Sequence, residues 1–457
     1  MVCKVWCVML AIVVMANMIA AEDWPQYRGP QMDGVSKIPG TPTTWNAESR
    51  IWKYDMPGPG ASQPIVLDGK IYVTAYSGYG EGRTKKEITK IDPTKLMLHT
   101  VCINATDGSL IWQKDLKPLG PVFEPNSPII LHGYATPTPI LDDGVLYAWF
   151  GPAGLFAMNP ENGEVLWSKI LGEECHRWGT AASLVTCDDM LIVNASPECH
   201  TLFALNKKTG DEIWKTQETL VTKSQYNRAW AAPMVIDPPS GKQVLLLGMD
   251  QLASIDPKTG KTLWIFPTRQ GYSASNPLYR DGTIYAITGS GHGAWNSYAL
   301  KPDPGLDRKE RIVWKSADNG SGFSSPVILD DKIYYAAFTG KERPASAKGF
   351  CCMDAKTGEI IYKQEPEDWI REDIGRVIIY GAALTNGDYI YYPANLMSKS
   401  RDRTGGVYVV AARPEFELIA LNEFADDASW VTSPLVPLEG GRLLIRSDKA
   451  IHCVGGK

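Results

Sequence analysis

The stretch Asp256–Trp264 (DPKTGKTLW) carries the feature that most restricts the fold: an Asx residue, a Gly four places on and an aromatic eight places on. The same spacing recurs as Asn104/Gly108/Trp112, Asn159/Gly163/Trp167, Asn206/Gly210/Trp214 and Asp354/Gly358/Tyr362, so five copies are intact. Trp52 and Trp314 read as degenerate copies. A short apolar run into Asx, a Gly free to take positive φ, and a second apolar run describe a strand, tight turn and strand. The closing Trp supplies a large ring to bury against a neighbour. Units that make only a few short strands each cannot bury their own apolar face and must stack on the next unit. The expectation is an all-β propeller.

Counting strands sets the number of blades. Eight inner strands open with a small or polar residue, usually before Pro: near Gln63-Pro64, Thr138-Pro139, Ala182-Ser183, Ala232-Pro233, Asn276-Pro277, Ser325-Pro326, Ala382-Ala383 and Ser433-Pro434. Most run into a second strand, and two hairpins make one four-stranded antiparallel blade. The last opening is followed by Arg442 to Arg446 and Ala450 to Val454, three strands in all, while Ile51 to Tyr54 is an orphan outer strand. Pairing the two ends completes an eighth blade and closes the ring, which removes exposed edges. Seven blades is the alternative, because the copy around Tyr380 to Leu421 lacks the Gly turn and the Trp. Tyr79 to Leu98, Pro302 to Arg311 and Ser398 to Thr404 are expected to be solvated loops.

The chain divides into a signal peptide over 1–21, an irregular segment over 22–50 that lies across one face of the ring, and the propeller over 51–457. Lys4, the apolar run Val5 to Ala16 and the small residues Ala20 and Ala21 form the leader pattern, with cleavage expected after Ala21. That run is too short to span a bilayer. No lipid-attachment cysteine follows it, so the expected product is an exported monomer, periplasmic or extracellular, with no transmembrane segment. The formal charge of -5, with 46 basic and 51 acidic residues interspersed, excludes a basic stripe, and with it nucleic acid and anionic lipid as partners.

Seven of the nine cysteines follow the leader. Cys102, Cys352 and Cys453 sit on predicted strands and are expected to pack as small hydrophobes. Cys351-Cys352 lies within a strand, where adjacent side chains point to opposite faces. Cys175-His176 and Cys199-His200 flank one blade on one face. A Cys175–Cys199 disulfide suits an exported chain, with tetrahedral zinc as the weaker reading, so no metal ligand is assigned.

Candidate ligand contacts come from the connectors that enter the inner strands. Seven carry an aromatic three to five residues ahead of the opening: Tyr134, Trp178, Trp230, Tyr272, Phe323, Tyr380 and Trp430. Propeller topology puts these connectors on one face, around the channel mouth. There the rings could stack a sugar, a quinone or a partner's apolar side chain, with His132, His176 and Arg228 beside them. The opposing expectation is that the rings seal blade against blade. No Gly-x-Ser-x-Gly elbow or His-Glu-x-x-His motif is present, so no catalytic residue is assigned.

The Ala-x-Asx-x-x-x-Gly-x-x-x-Trp unit resembles the PQQ-like repeat of the quinoprotein alcohol dehydrogenase-like propellers, over nearly all of the chain after residue 50. The WPQYRGP opening, His132-Gly133-Tyr134-Ala135 and Trp178 to Ser183 are similar to secreted bacterial PQQ-binding-like repeat proteins. In the dehydrogenases that the resemblance invokes, pyrroloquinoline quinone sits in the funnel beside calcium. Thr288 to Trp295 resembles the stretch that brings their amide ligand, but Ser290 or Gly291 stands where an Asn is required. After Trp314 their catalytic acid motif is absent, with Asp318 the one nearby carboxylate, and no Cys-x-x-Cys-His haem motif occurs. The chain also resembles BamB, the outer-membrane assembly lipoprotein. The expected function is a non-catalytic binding or protein-interaction scaffold in the cell envelope without a cofactor. The alternative is a PQQ-dependent oxidoreductase for alcohols or sugars with a diverged calcium and quinone site.

Overall fold

The computed structural model describes residues 23–79, 92–122, 133–174, 179–217, 229–248, 250–268, 274–289, 296–317, 319–339, 346–364, 370–400 and 402–455. The expected leader over 1–21 lies outside them. Eight antiparallel sheets are arranged as a propeller, and seven have four strands joined in sequence order or by closure of the ring. Blade 1 shows the plan: Ile65–Leu67 innermost, then Lys70–Ser77, Met97–Asn104 and Leu110–Leu116 outermost. Blades 2 to 6 repeat it, starting at Ile140–Asp142, Val185–Cys187, Met234–Ile236, Leu278–Arg280 and Val327–Leu329.

Blade 8 is composite, as its strand count requires. Arg50–Asp55 pairs with Ala450–Gly455, which continues to Arg442–Arg446 and Val436–Leu438. Blade 7 is the divergent copy. Its innermost strand shrinks to Leu384–Thr385, and Ile374–Ile378 pairs with the far half of Tyr389–Ser398, making five strands. The count is therefore eight.

The repeat's residues explain how blades join. In each intact turn the Asx carbonyl accepts from the Gly N–H four residues on, as in Gly260 to Asp256 at 2.9 Å, and the Asx side chain accepts from the N–H two residues on. Gly108, Gly163, Gly210, Gly260 and Gly358 all sit at φ of +70 to +75. Each also lies under the Trp of the preceding blade: Trp52, Trp112, Trp167, Trp214 and Trp314 respectively. A Cβ on Gly260 would lie 2.6 Å from the Trp214 ring. The indole N–H then reaches past the glycine turn, Trp214 to Pro257 O at 2.7 Å and Trp314 to Ala355 O at 2.8 Å. Trp314 is thus a full member of the series, and Trp52 joins it by packing on Gly108 alone, its Nε1 buried without a hydrogen-bond partner among the described residues.

Three junctions use substitutes. Over Trp264 the place of the glycine is taken by Arg311, buried, with its guanidinium 4.1 Å from the ring centroid and bonded to Lys301 O and Leu306 O. Pro302 to Arg311 is therefore not merely a solvated loop. Its Asp307 capping box folds a short turn that delivers the arginine. At blade 7, Tyr362 packs edge-on against Phe416. The adjoining junction between blades 7 and 8 is covered by Trp45, whose N–H donates to Asn422 Oδ1 and whose ring joins the Val409, Phe424 and Leu438 cluster.

The packing expected of the strand cysteines is what the structure has. Cys102, Cys352 and Cys453 are buried. Cys351 packs toward blade 5 and Cys352 toward blade 7, in different clusters.

A buried polar cluster locks the composite blade. His452 is stacked on Phe424 at 4.0 Å, its Nε2 lies 2.9 Å from Asp427 Oδ2, and its Nδ1 lies 3.2 Å from Arg50 Nη1. Arginine only donates, so Nδ1 accepts and Nε2 carries the proton to Asp427. Burial opposes ionisation of Asp427, but hydrogen bonds from His452, Ser429 and Ser447 outweigh it and hold the carboxyl well below its usual range. Burial, reinforced by Arg50 and Lys53, pushes His452 down against the pull of Asp427.

Two predictions follow from this packing. Gly260→Ala must bear both left-handed strain and the Trp214 overlap, about 2–4 kcal/mol together. Gly282→Ala, at φ +75 with nothing within 4 Å, bears only the strain, about 1 kcal/mol. Urea midpoints of the two variants should separate in that order. Because His452 titrates below its unfolded value, the unfolded chain takes up its proton first, and stability falls as pH drops below about 6.5. Asp427 adds a second loss as pH falls from about 3.9 through its folded value. His452→Gln should flatten the urea midpoint between pH 7 and pH 5 relative to the parent.

Candidate functional site

The ring leaves an axial channel. Its wall is made by residues that alternate along the approach to each inner strand, such as Thr136/Thr138, Ala181/Ser183, Trp230/Ala232, Ala274/Asn276, Tyr380/Ala382 and Thr432/Pro434. Side chains two apart face the same way in extended chain, so every blade offers one or two groups to the axis. These positions are mostly small because eight chains converge there.

Their hydroxyls do structural work as well. Thr138 Oγ1 accepts from Gln63 N at 3.0 Å, Ser183 Oγ accepts from Thr138 N at 3.0 Å, and Ser325 Oγ accepts from Asn276 N at 3.0 Å. These three hydroxyls thus each cap a backbone N–H of the blade before, whereas at the Asn276 opening the side chain donates to Ala232 O at 2.8 Å. Proline next in sequence has no N–H to satisfy, which fits the polar-Pro pattern. Between blades 8 and 1 the link has the opposite sense: Arg446, fully buried, donates from its guanidinium to the carbonyls of Ser62 and Thr74, and burial pushes it down to about 9.

One end of the channel is closed by the N-terminal segment. Trp24 bridges Val66 of blade 1, Pro25 O accepts from Leu141 N of blade 2, and Val35 bridges Thr385 of blade 7. Met32 packs with Val185 and Ala232 of blades 3 and 4. Arg28, buried, donates to Pro326 O of blade 6, and its own N–H donates to Gln63 Oε1 at 2.7 Å. Burial pushes the Arg28 guanidinium down. This segment does more than cross a face: it fills the channel end and touches six blades. Tyr27 projects from it as the floor of the remaining cavity, its hydroxyl bonded to Ser325 and pushed up by burial.

What remains is a cavity of about 120 Å³ on the side where the connectors enter the inner strands. Three of the expected aromatics line it: Trp230, Phe323 and Tyr380. Trp230 Nε1 donates to Gly179 O at 3.2 Å, and Phe323 meets Tyr380 edge-on at 5.3 Å. Tyr134 and Trp430 are not among the lining residues. Tyr134 is buried edge-on against Tyr76 at 5.5 Å, and Trp430 is buried with the Arg403 guanidinium 5.2 Å from its ring centroid. These two seal blade against blade. Trp178, Tyr272, His132, His176 and Arg228 lie outside the described residues, as do Ser290, Gly291, Asp318 and Cys175. Cys199 carries a free thiol whose Sγ lies 2.9 Å from Leu171 O.

Tyr27 was not foreseen as a site residue. The turn-rich WPQYRGP stretch marked the segment as irregular, but nothing in it signals which blades it touches. The hydroxyl positions were visible as strand openings, without any sign that they face the axis.

With this geometry the kinship can be read. The family model described as outer membrane protein assembly factor BamB matches residues 99–364, more than half of the chain. The chain belongs to that family. BamB from Moraxella catarrhalis superimposes with a TM-score of 0.57 at 17% identity, over 89% of this chain and 97% of that one. Quinohemoprotein alcohol dehydrogenase from Comamonas testosteroni superimposes with a TM-score of 0.61 at 12% identity, over 95% and 81%. At such identities the likeness is one of fold. In sequence the chain is 21% identical to a quinoprotein ethanol dehydrogenase of Pseudomonas putida over 349 residues, 66% of this chain and 51% of the relative. It is 26% identical to one of Pseudomonas aeruginosa over 343 residues, 68% and 52%. The chain spans about half the length of the curated relatives it matches. As a BamB-family, PQQ-like propeller it is thus related both to an assembly factor and to quinoprotein dehydrogenases.

Calcium takes six to eight oxygen ligands, carboxylates prominent among them. The described lining of this cavity offers hydroxyls from Tyr27, Thr136, Thr138, Ser183, Tyr380 and Thr432, the Asn276 amide and no carboxylate. That donor set does not fit a calcium and quinone centre.

The interlocking of wall and ring can be measured. Thr138→Val keeps the shape of the side chain but leaves the Gln63 N–H without its acceptor, a cost of about 1–3 kcal/mol. The urea midpoint should fall accordingly, and Thr138→Ser should restore most of it.

Proposed function

We propose that the protein is an interaction scaffold of the cell envelope with a non-catalytic channel, whose mouth receives an uncharged group, either an apolar side chain of a partner protein or a small neutral ligand. The observation that carries this reading is the cavity wall: small residues and hydroxyls below, Trp230, Phe323 and Tyr380 at the opening, and no charged side chain among the described lining. Such a wall favours flat or apolar groups that lose little on desolvation. Membership in a family described as an outer membrane assembly factor supports the envelope setting. No helix among the described residues is long and apolar enough to cross a membrane. The expected leader and export to the periplasm or beyond belong to the same reading, as does a monomeric ring.

The quinone-dependent oxidoreductase reading is favoured by the dehydrogenase relatives, which share about two thirds of this chain. Titration with pyrroloquinoline quinone, with and without calcium, separates the two. A ligand that binds only the native state raises its melting temperature. The scaffold reading expects no saturable change in melting temperature or Trp fluorescence where a control quinoprotein responds. Calcium-dependent, saturable stabilisation would overturn it and turn the search to alcohol and sugar substrates.

A further inference from the structure

Away from the channel wall, blade 1 carries a hydrogen-bonded row that no local motif announces. Ser77 ends the second strand, His99 lies near the start of the third and Asp115 near the end of the fourth. Ser77 Oγ is 2.7 Å from His99 Nε2, and His99 Nδ1 is 2.7 Å from Asp115 Oδ1. The register explains the meeting, since His99 stands opposite both Ala75 and Asp115, which puts Ser77 one pleat along on the same face.

The proton positions follow from the partners. Gln113 Nε2 donates to Asp115 Oδ1 at 2.8 Å, and hydrogen bonds from Gln113 and His99 hold the Asp115 carboxyl below its usual range. A carboxylate only accepts, so Nδ1 carries the ring proton. Nε2 then presents its lone pair, and the Ser77 hydroxyl donates to it. His99 is 5% exposed, and Ser77 is half-buried. A Cβ on Gly58 would stand 3.2 Å from the Ser77 Cβ, so glycine there leaves the serine less crowded.

The repeat provides an internal control. Asp115 lies three residues after the blade's Trp112. At the same offset blade 3 has Gln217 bonded to Thr201, blade 4 pairs Pro267 with Gln251, and blade 5 pairs Ala317 with Asn296. These blades close with uncharged pairs, so blade architecture does not call for a His and Asp row. Inner strands begin at the channel mouth, so the second strand of blade 1 ends on that face, with Ser77 next to the buried Tyr76–Tyr134 contact.

We propose that Ser77, His99 and Asp115 form a nucleophilic relay that hydrolyses carboxylic esters at the rim of the channel mouth. A nucleophile within hydrogen-bond reach of a base that a third group orients is the arrangement this chemistry needs. Ser77 Oγ bonds to the ester carbonyl carbon while its proton passes to His99 Nε2. The ester C–O bond then breaks, and Nε2 returns that proton to the departing alcohol, leaving an acyl group on Ser77. Water attacks the acyl carbon, gives a proton to Nε2 and releases the carboxylic acid as Ser77 regains its proton. Asp115 stays ionised throughout and holds the imidazole in the Nδ1–H form.

The full-length mature protein is incubated with a fluorophosphonate and read by intact mass and peptide mapping, alongside turnover of p-nitrophenyl acetate. The expected result is a single adduct on Ser77, absent in Ser77→Ala. Its rate should fall about 100-fold or more in His99→Gln and by a smaller factor in Asp115→Asn. Melting temperature confirms that each variant folds. If His99→Gln unfolds, Ser77→Ala and Asp115→Asn still decide the matter. Absence of a Ser77 adduct, or equal labelling rates in a folded His99→Gln or Asp115→Asn variant, would show that the row only braces the blade and would overturn the proposal.

Discussion

The indole of one blade lying on a glycine of the next is the contact on which the ring depends. It solves two problems with one residue pair. The turn needs positive φ, where glycine carries no steric cost, and the neighbour's ring needs a surface without a Cβ. Where the glycine is missing, the ring is still covered, by Arg311 over Trp264 and by Phe416 beside Tyr362. What the junction requires is a flat or accommodating surface under an aromatic, and glycine is the least costly way to provide it.

From that outer belt the rest of the molecule follows inward. Fixed blade spacing brings the inner strands close enough for Thr138, Ser183 and Ser325 to cap the backbone of adjacent blades. Those same hydroxyls then line the cavity, so the polarity of the wall is partly committed to holding the ring. A ligand at the mouth meets a surface whose hydrogen-bonding capacity is largely spent, Asn276 Nδ2 being bonded to Ala232 O and Trp230 Nε1 to Gly179 O.

The fold was legible because its signal is repetitive: the Asx, Gly and aromatic spacing states the turn and supplies a ring to bury against a neighbour. Blade 8 was legible because an orphan strand at one end matched a deficit at the other. The site was legible only in part. Trp230, Phe323 and Tyr380 face the cavity, whereas Tyr134 and Trp430 are buried in the seams. Sequence offset alone does not say which way a connector turns its ring. The Ser77, His99 and Asp115 row was invisible for a different reason. Its members are 22 and 16 residues apart, and only the strand register of one blade brings them into line.

The composite blade also dictates an order of events. Arg50 pairs with Val454, so the strand that closes the ring joins two stretches with the whole of blades 1 to 7 between them in sequence. Blades 1 to 7 rest on nearer contacts, but their ring stays open, with apolar sheet faces exposed, until both ends arrive. The entropy of joining such distant ends makes this step slow relative to hairpin formation. The channel-filling segment lies just upstream of the closing strand. One continuous stretch of chain therefore supplies both the floor of the cavity, through Tyr27, and the strand that shuts the circle, Arg50–Asp55.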